Sequence, residues 1–172
     1  MAAEVANVVN RCESGKESWS LDLSNCGLKS VPDAIFHLMR NTTVLTCDMS
    51  GNQLQKLPAK LAIQFCDMSE FNASGNRLNA LPDEFGNLAM LTYLNLSKNR
   101  FVKVPEAVYN MVSVTHLDLC NNQLNELDAG KLREMKSLKV INLKNNPLTS
   151  ENCHQLINFC GIEVKTSHHE VD

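Results

Sequence analysis

Apolar residues recur along the chain in clusters with one internal spacing, apolar-x-x-apolar-x-apolar-x-x-Asn-x-apolar. The pattern reads VLTCDMSGNQL from Val44, MSEFNASGNRL from Met68, LTYLNLSKNRF from Leu91, VTHLDLCNNQL from Val114 and LKVINLKNNPL from Leu138. An earlier, weaker copy is SWSLDLSNCGL from Ser18. The positions equivalent to the Asn are Cys26, Asn52, Asn76, Asn99, Asn122 and Asn146, spaced by 26, 24, 23, 23 and 24 residues. A fixed period of this length marks a repeat architecture in which stacked units share one core. The alternation at the centre of each cluster predicts a short strand, with one face inward and the other open. Stacking then builds a ladder from Leu21/Leu23, Cys47/Met49, Phe71/Ala73, Leu94/Leu96, Leu117/Leu119 and Ile141/Leu143. The Asn is expected to turn inward, because its amide both donates and accepts and can satisfy buried backbone where the chain bends. Cys26 is a weaker substitute. On this reading Asn99→Ala costs about 1 to 3 kcal/mol, and Asn95→Ala on the open face no more than about 0.5 kcal/mol.

After the strand, four copies continue with an apolar residue and Pro: Val31-Pro32, Leu57-Pro58, Leu81-Pro82 and Val104-Pro105; the fifth has Leu127-Asp128. The return segments then place apolar residues at helical spacing, as in Ile35 and Leu38, Phe85 and Leu88, Val108 and Met111, Leu132 and Met135. The segment DAGKLREMKSL is expected to be the most helical, with Lys131, Arg133, Lys136 and Lys139 on a basic, solvated outer surface. Both ends read as caps. Val5, Val8, Val9 and Cys12 lie on one face of a first helix, and Cys153, Leu156, Ile157 and Cys160 repeat that spacing near the end. Ser150 is the expected N-cap of the last helix and Gly161 its stop, after which Ile162 and Val164 alternate like a closing strand.

These residues resemble the leucine-rich-repeat family, and the Pro-containing repeat of about 23 residues is similar to its intracellular Ras-group type. The resemblance covers about residues 18–148. It implies an α/β solenoid with one short parallel strand per turn, a concave sheet and a looser or helical convex side. The expected organisation is a helical cap over 1–17, six repeats over 18–148, a second cap over 149–165 and a flexible tail over 166–172. Resemblance to this group also implies a protein partner among signalling or scaffold proteins.

Composition narrows the setting. Aromatic residues are 5% of the chain, so Leu, Val, Ile and Met must build the core, which suits thin stacked layers. The formal charge of −3 divides into seven basic and ten acidic residues through Gly86 and nine of each afterwards, so neither half carries a strong field and nucleic acid is not an expected partner. No apolar run approaches the roughly 20 residues of a membrane span. Glu4, Asn7 and Asn10 interrupt any leader-like stretch at the start. Seven cysteines without paired spacing fit reduced thiols better than a disulfide framework. The expectation is a monomeric cytoplasmic protein without membrane association and with no glycan at the Asn-x-Ser/Thr sequences of Asn41, Asn72 and Asn95. An extracellular recognition or adhesion domain is the alternative.

The outward strand positions define a candidate binding surface. Its central column is Asp22, Asp48, Asn72, Asn95, Asp118 and Asn142; the column before it is Ser20, Thr46, Glu70, Tyr93, His116 and Val140, and the column after it Ser24, Ser50, Ser74, Ser97, Cys120 and Lys144. Strands about 4.8 Å apart would bring Glu70, Tyr93 and His116 into one patch, with Asp48, Asn95 and Asp118 beside it. These six are the expected partner-binding residues, against the alternative of ordinary solvated surface. No enzymatic activity is expected. His116, Asp118 and Cys120 contain the residue types of a nucleophile, base and orienting acid, but His116 and Cys120 would lie roughly 13 Å apart along one strand, beyond proton-transfer reach. Neither a cofactor nor a metal site is indicated, since no CxxC pair occurs and His168-His169 falls in the tail. Ser14-Gly15-Lys16 fails as a phosphate loop, because Asn10 and Glu17 stand where Gly and Ser or Thr are required. The final His169-Glu170-Val171-Asp172 weakly resembles the acidic peptide bound by carboxylate-clamp helical repeats.

Overall fold

The computed structural model describes residues 2–157, 159 and 161–167. Seven three-residue strands, β1 (Ser20–Asp22), β2 (Thr46–Asp48), β3 (Glu70–Asn72), β4 (Tyr93–Asn95), β5 (His116–Asp118), β6 (Val140–Asn142) and β7 (Glu163–Lys165), form one parallel sheet in chain order. Each strand pairs only with its sequence neighbours, as a solenoid requires. The middle residue of every strand from Leu21 to Ile141 is buried, together with its partner two residues on, so the ladder of twelve inward side chains closes the core.

The return segments differ in conformation but share one device. Pro32, Pro58, Pro82 and Pro105 each accept a hydrogen bond from a buried apolar residue three positions on: Ile35, Leu61, Phe85 and Val108, at 2.9 to 3.1 Å. Proline fixes φ and needs no donor at a helix start, so it opens the turn without leaving an orphan N–H. The segments opened by these prolines form helix α2 (Ala34–Leu38), helix α3 (Ala59–Gln64), a 3-10 turn (Asp83–Asn87) and helix α4 (Glu106–Tyr109). The fifth segment has no Pro, and Asp128 supplies a side-chain cap instead, accepting from the Lys131 N–H at 3.0 Å. Its helix, α5 (Ala129–Glu134), is six residues long, the same as α3. The expectation that this segment is the most helical is therefore corrected: Met135, at ψ 82°, leaves the helical region and ends it. The aromatic pair Phe36/Phe65 knits adjacent returns, and Phe71/Phe85 ties strand β3 to the return of its own turn, with ring centroids 6.2 and 5.3 Å apart.

Helix α1 (Ala2–Ser18) covers the first turn and runs one residue past the expected boundary at 17. Val8 and Cys12 are buried beneath it. Gly15 allows close approach to the sheet, since a Cβ there would meet the Ser20 carbonyl at 3.0 Å. At the other end helix α6 (Ser150–Ile157) is capped by Thr149, whose hydroxyl accepts from the Asn152 N–H at 3.2 Å; Ser150 is the first helical residue, not the cap. Leu156 is buried, and Gly161 turns the chain at φ +83° before β7. Cys160, His168-His169 and the terminal peptide lie outside the described residues. The first part of the expected tail is held in place: the Ser167 hydroxyl accepts from the Asn145 N–H at 2.6 Å.

Candidate functional site

The concave sheet places its outward residues in strict register. Ser20, Thr46, Glu70, Tyr93, His116 and Val140 are successive partners across six strands, and Asp22, Asp48, Asn72, Asn95, Asp118 and Asn142 form the next column. Glu70, Tyr93 and His116 therefore stand on adjacent strands. Tyr93 is 38% exposed, and its ring lies 6.5 Å from that of His116 at 34°. The Thr115 hydroxyl donates to the Thr92 carbonyl at 3.0 Å, so its 2.9 Å contact with His116 Nδ1 makes that nitrogen the donor. In the neutral ring Nε2 then remains as a free acceptor.

The central column behaves differently. Each of its side chains accepts, through Oδ1, the N–H two residues on, at 2.7 to 3.3 Å from Asp22 to Asn142. These turns carry the chain out of the strand. Asn72 also donates to Asp48 Oδ2 at 3.0 Å, and Asn142 to Asp118 Oδ2 at 3.1 Å. Asp48, Asn95 and Asp118 are thus only half-exposed, with part of their hydrogen-bonding capacity already used. Asn95 Oδ1 accepts both the Ser97 N–H at 3.0 Å and the Ser97 hydroxyl at 2.7 Å, and Ser97 is buried, so this member of the third column does not face a partner. With those two bonds at stake, Asn95→Ala is costlier than the open-face value of about 0.5 kcal/mol.

A shallow cleft of about 350 Å3 occupies the N-terminal half of the concave face, lined by Asp22, Thr46, Asp48, Glu70 and Tyr93 among others. Partial burial works against the Asp22 carboxylate, but hydrogen bonds from Ser24 and the charge of Arg11, 2.9 Å away, hold its pKa below the ordinary value. The face is acidic here. At its other end Cys120 is half-buried, and burial followed by its hydrogen bond with Asp118 raises the thiol pKa. That shift is opposite to the one that activates a nucleophilic cysteine.

The convex surface is less open than its charges suggest. Lys131 pairs with Glu106 at 2.7 Å and lies over the Tyr109 ring, while Arg133 lies over the Phe159 ring at 5.0 Å and donates to the Gln155 carbonyl at 2.8 Å. Both tie neighbouring turns together, which leaves Lys136 and Lys139 as the exposed remainder. Sequence reasoning missed the hydroxyls flanking the concave patch. Ser69, Thr92 and Thr115 each donate to the carbonyl of the equivalent residue one turn earlier, at 3.0 to 3.1 Å; their signal was Ser or Thr recurring at the second position of the pattern.

Family profiles described as leucine-rich repeat match residues 104–148, and residues 19–38 and 90–111. The mouse protein named leucine-rich repeat-containing protein 20 is 45% identical over 152 residues, covering 87% of this chain and 82% of that protein. The chain belongs to the leucine-rich-repeat family. The human protein of the same name is 35% identical over 92 residues, 52% of this chain and 49% of that protein. Chicken Tsukushi is 30% identical over 90% of this chain, which spans 44% of it. Among solved structures, a leucine-rich-repeat protein of Leptospira interrogans superposes with a TM-score of 0.69 at 24% identity, over 79% of this chain and 34% of that one. A chain of the Drosophila Toll–Spatzle complex gives 0.65 at 21% identity, over 82% of this chain and 21% of that one. Leucine-rich-repeat domains typically serve as protein-interaction modules. Among the described residues, no helix is long and apolar enough to cross a membrane, and no group of His, Cys, Asp and Glu is arranged to hold a metal ion.

Proposed function

We propose that this leucine-rich-repeat chain is a non-catalytic adaptor that holds a protein partner on its concave sheet, with Tyr93 as the anchor and Glu70 and His116 beside it. The observation that carries the reading is the half-exposed Tyr93 ring, set on the fourth of seven strands between an ionisable neighbour on each side. A rigid aromatic loses little entropy on contact and can contribute a large share of binding energy. The acidic cleft formed by Asp22, Asp48 and Glu70 favours a contacting segment that carries Lys or Arg. Asp48 and Asp118 add directional acceptors, with the lone pairs that their turns leave unused, and Asn95, whose Oδ1 already accepts twice from Ser97, offers its Nδ2 donor. A signalling or scaffold complex in the cytoplasm is the setting inferred. Cys12, Cys26 and Cys47 are buried as free thiols, which fits a reducing compartment. The Asn72 amide is bonded to Asp48, which disfavours a glycan on it.

The test uses a partner captured with the wild-type chain and then purified. Tyr93→Ala should weaken its affinity by at least about 30-fold, the equivalent of about 2 kcal/mol, without changing the melting temperature. A charge variant of the convex side, Lys136→Gln/Lys139→Gln, should bind like wild type. Loss of binding in that variant, with Tyr93→Ala unaffected, would place the partner on the convex side and end the concave-face reading.

A further inference from the structure

The loops that leave the strands form a lateral face of their own, and its charge is unlike that of the sheet. Lys29, Lys56, Arg77, Lys98, Arg100 and Lys103 are exposed there, against the carboxylates of Glu126 and Asp128 in the fifth loop, in a chain whose formal charge is −3. The ion pairs among the described residues are Arg11–Asp22, Lys16–Glu13, Lys131–Glu106 and Lys165–Glu163, and none involves these six cations. Glu126 forms a backbone bridge with Lys103, so it sits toward the C-terminal edge of the face. At the centre is a cleft of about 400 Å3 lined by Lys56, Arg77 and Arg100 together with the amides of Gln55, Asn79 and Gln123.

The repeat itself assembles the site. Arg77 and Arg100 occupy the same position, immediately after the inward Asn, on successive turns. The backbone at that position is bonded rung to rung: Arg77 N–H donates to the Leu54 carbonyl at 2.8 Å, Arg100 to Leu78 at 2.8 Å and Gln123 to Phe101 at 2.9 Å. Two guanidinium stems on one rigid ladder, about 4.8 Å apart at the backbone, can converge on a single group. Each guanidinium offers a planar fork of donors matched to phosphoryl oxygens, and Lys56 adds a point charge.

We propose that this lateral cleft is a second binding site, which takes a phosphoserine or phosphothreonine side chain presented by an extended peptide. The amides of Gln55, Asn79 and Gln123 can each donate and accept, which suits the peptide backbone on either side of the phosphate. Val102, 48% exposed, gives a neighbouring side chain an apolar floor. A nucleotide fits less well, because no aromatic ring lines the cleft for a base to stack on. Long polyanions and anionic bilayers fit less well too, since the overall charge is negative and the adjoining concave face bears Asp22, Asp48 and Glu70. The site is separate from the concave patch and stands or falls without it.

A fluorescein-labelled glycine- and alanine-based peptide with one central phosphoserine is the probe, monitored by polarisation, with amide shifts in a nitrogen-15 spectrum to locate it. The phosphopeptide should bind at least tenfold more tightly than its unphosphorylated form and shift the amides of residues 55–56, 77–79 and 100–102. Arg77→Gln/Arg100→Gln should remove that advantage, and Lys136→Gln/Lys139→Gln, with the same change in charge, should keep it within about twofold. Inorganic phosphate should displace the peptide from wild type, while chloride at matched ionic strength should not, which tests the site without any substitution. Equal binding of the two peptides, retention in the arginine variant, or equal loss in the lysine variant would overturn the proposal. So would tighter binding of an oligothymidylate or of phosphatidylserine vesicles.

Discussion

Replacing Asn99 with Ala isolates what the inward asparagine contributes. Its Nδ2 donates to the carbonyls of Ala73, Leu96 and Ser97 at 3.0 to 3.1 Å, and its Oδ1 accepts from the Leu78 N–H at 3.0 Å. The three carbonyls are not orphaned by its loss. Ala73 still accepts from Asn76, Leu96 from Asn122 and Ser97 from the Gly75 N–H. Only the Leu78 N–H is left buried without its partner, which costs about 1 to 3 kcal/mol, and the small void adds to that. A total of about 2 to 4 kcal/mol is expected. Asn52 accepts from two buried donors, the N–H groups of Cys26 and Leu28 at 3.0 Å each, so Asn52→Ala should cost more. Asn95→Ala removes the acceptor of the Ser97 N–H and hydroxyl from a half-buried position and should cost about 1 kcal/mol. Urea unfolding of the three variants, compared at constant m, reads the order directly. If Asn99→Ala loses no more than Asn95→Ala, or Asn52→Ala less than Asn99→Ala, orphaned donors do not set the cost.

Gly51→Ala should destabilise by about 1 to 3 kcal/mol in thermal melts, because its φ of +66° disfavours a Cβ and that Cβ would collide with the Asn25 side chain; an unchanged midpoint would contradict the turn geometry. Under native conditions a thiol reagent should modify exposed Cys66 first, while Cys12, Cys26 and Cys47, buried and with thiol pKa values raised by that burial, react only on unfolding. Peptide mapping that finds Cys47 labelled as fast as Cys66, or a native disulfide, would count against this. Arg11→Ala should lower the melting point near pH 6, and the deficit should shrink toward about pH 2. The folded pKa of Asp22 is held below its ordinary value, so its contribution is present above about pH 4 and lost as pH falls through the folded value. A deficit that does not vary with pH would show that the pair is not its source.

The strands and the inward ladder were legible because alternation and period act together: a residue such as Leu94 has no other face to occupy. Register was legible as well, since equivalent positions of consecutive turns must pair, and this set Tyr93 between Glu70 and His116. What alternation could not show is how much of an outward residue is already in use. Asn95 and Ser97 both point from the concave side, yet their mutual hydrogen bonds draw Ser97 out of solvent. Local competition also decided the caps. Thr149 and Ser150 are equally plausible by residue type, and only the path of the chain makes the former accept from Asn152. Amphipathic spacing likewise overstated α5, where Met135 turns its backbone away to reach β6.

Net charge, read along the chain, averages over faces that the solenoid keeps apart. The core claims a fixed set of positions in each turn, and the inward Asn and the residue before it are further bound by backbone geometry: Asn25, Gly51, Gly75, Lys98, Asn121 and Asn145 all have positive φ. The remaining positions are free to carry charge, and they fall into columns about 4.8 Å apart. A carboxylate repeated in one column and an arginine repeated in another therefore produce two fields of opposite sign on one small body, even when the sum is only −3. Asp22 and Asp48, with Glu70 in the neighbouring column, make the first, and Arg77 and Arg100, with Lys56 beside them, the second. Because stacked turns bend little at each rung, neither field can collapse onto the other to neutralise itself, so both stay available to partners of complementary charge.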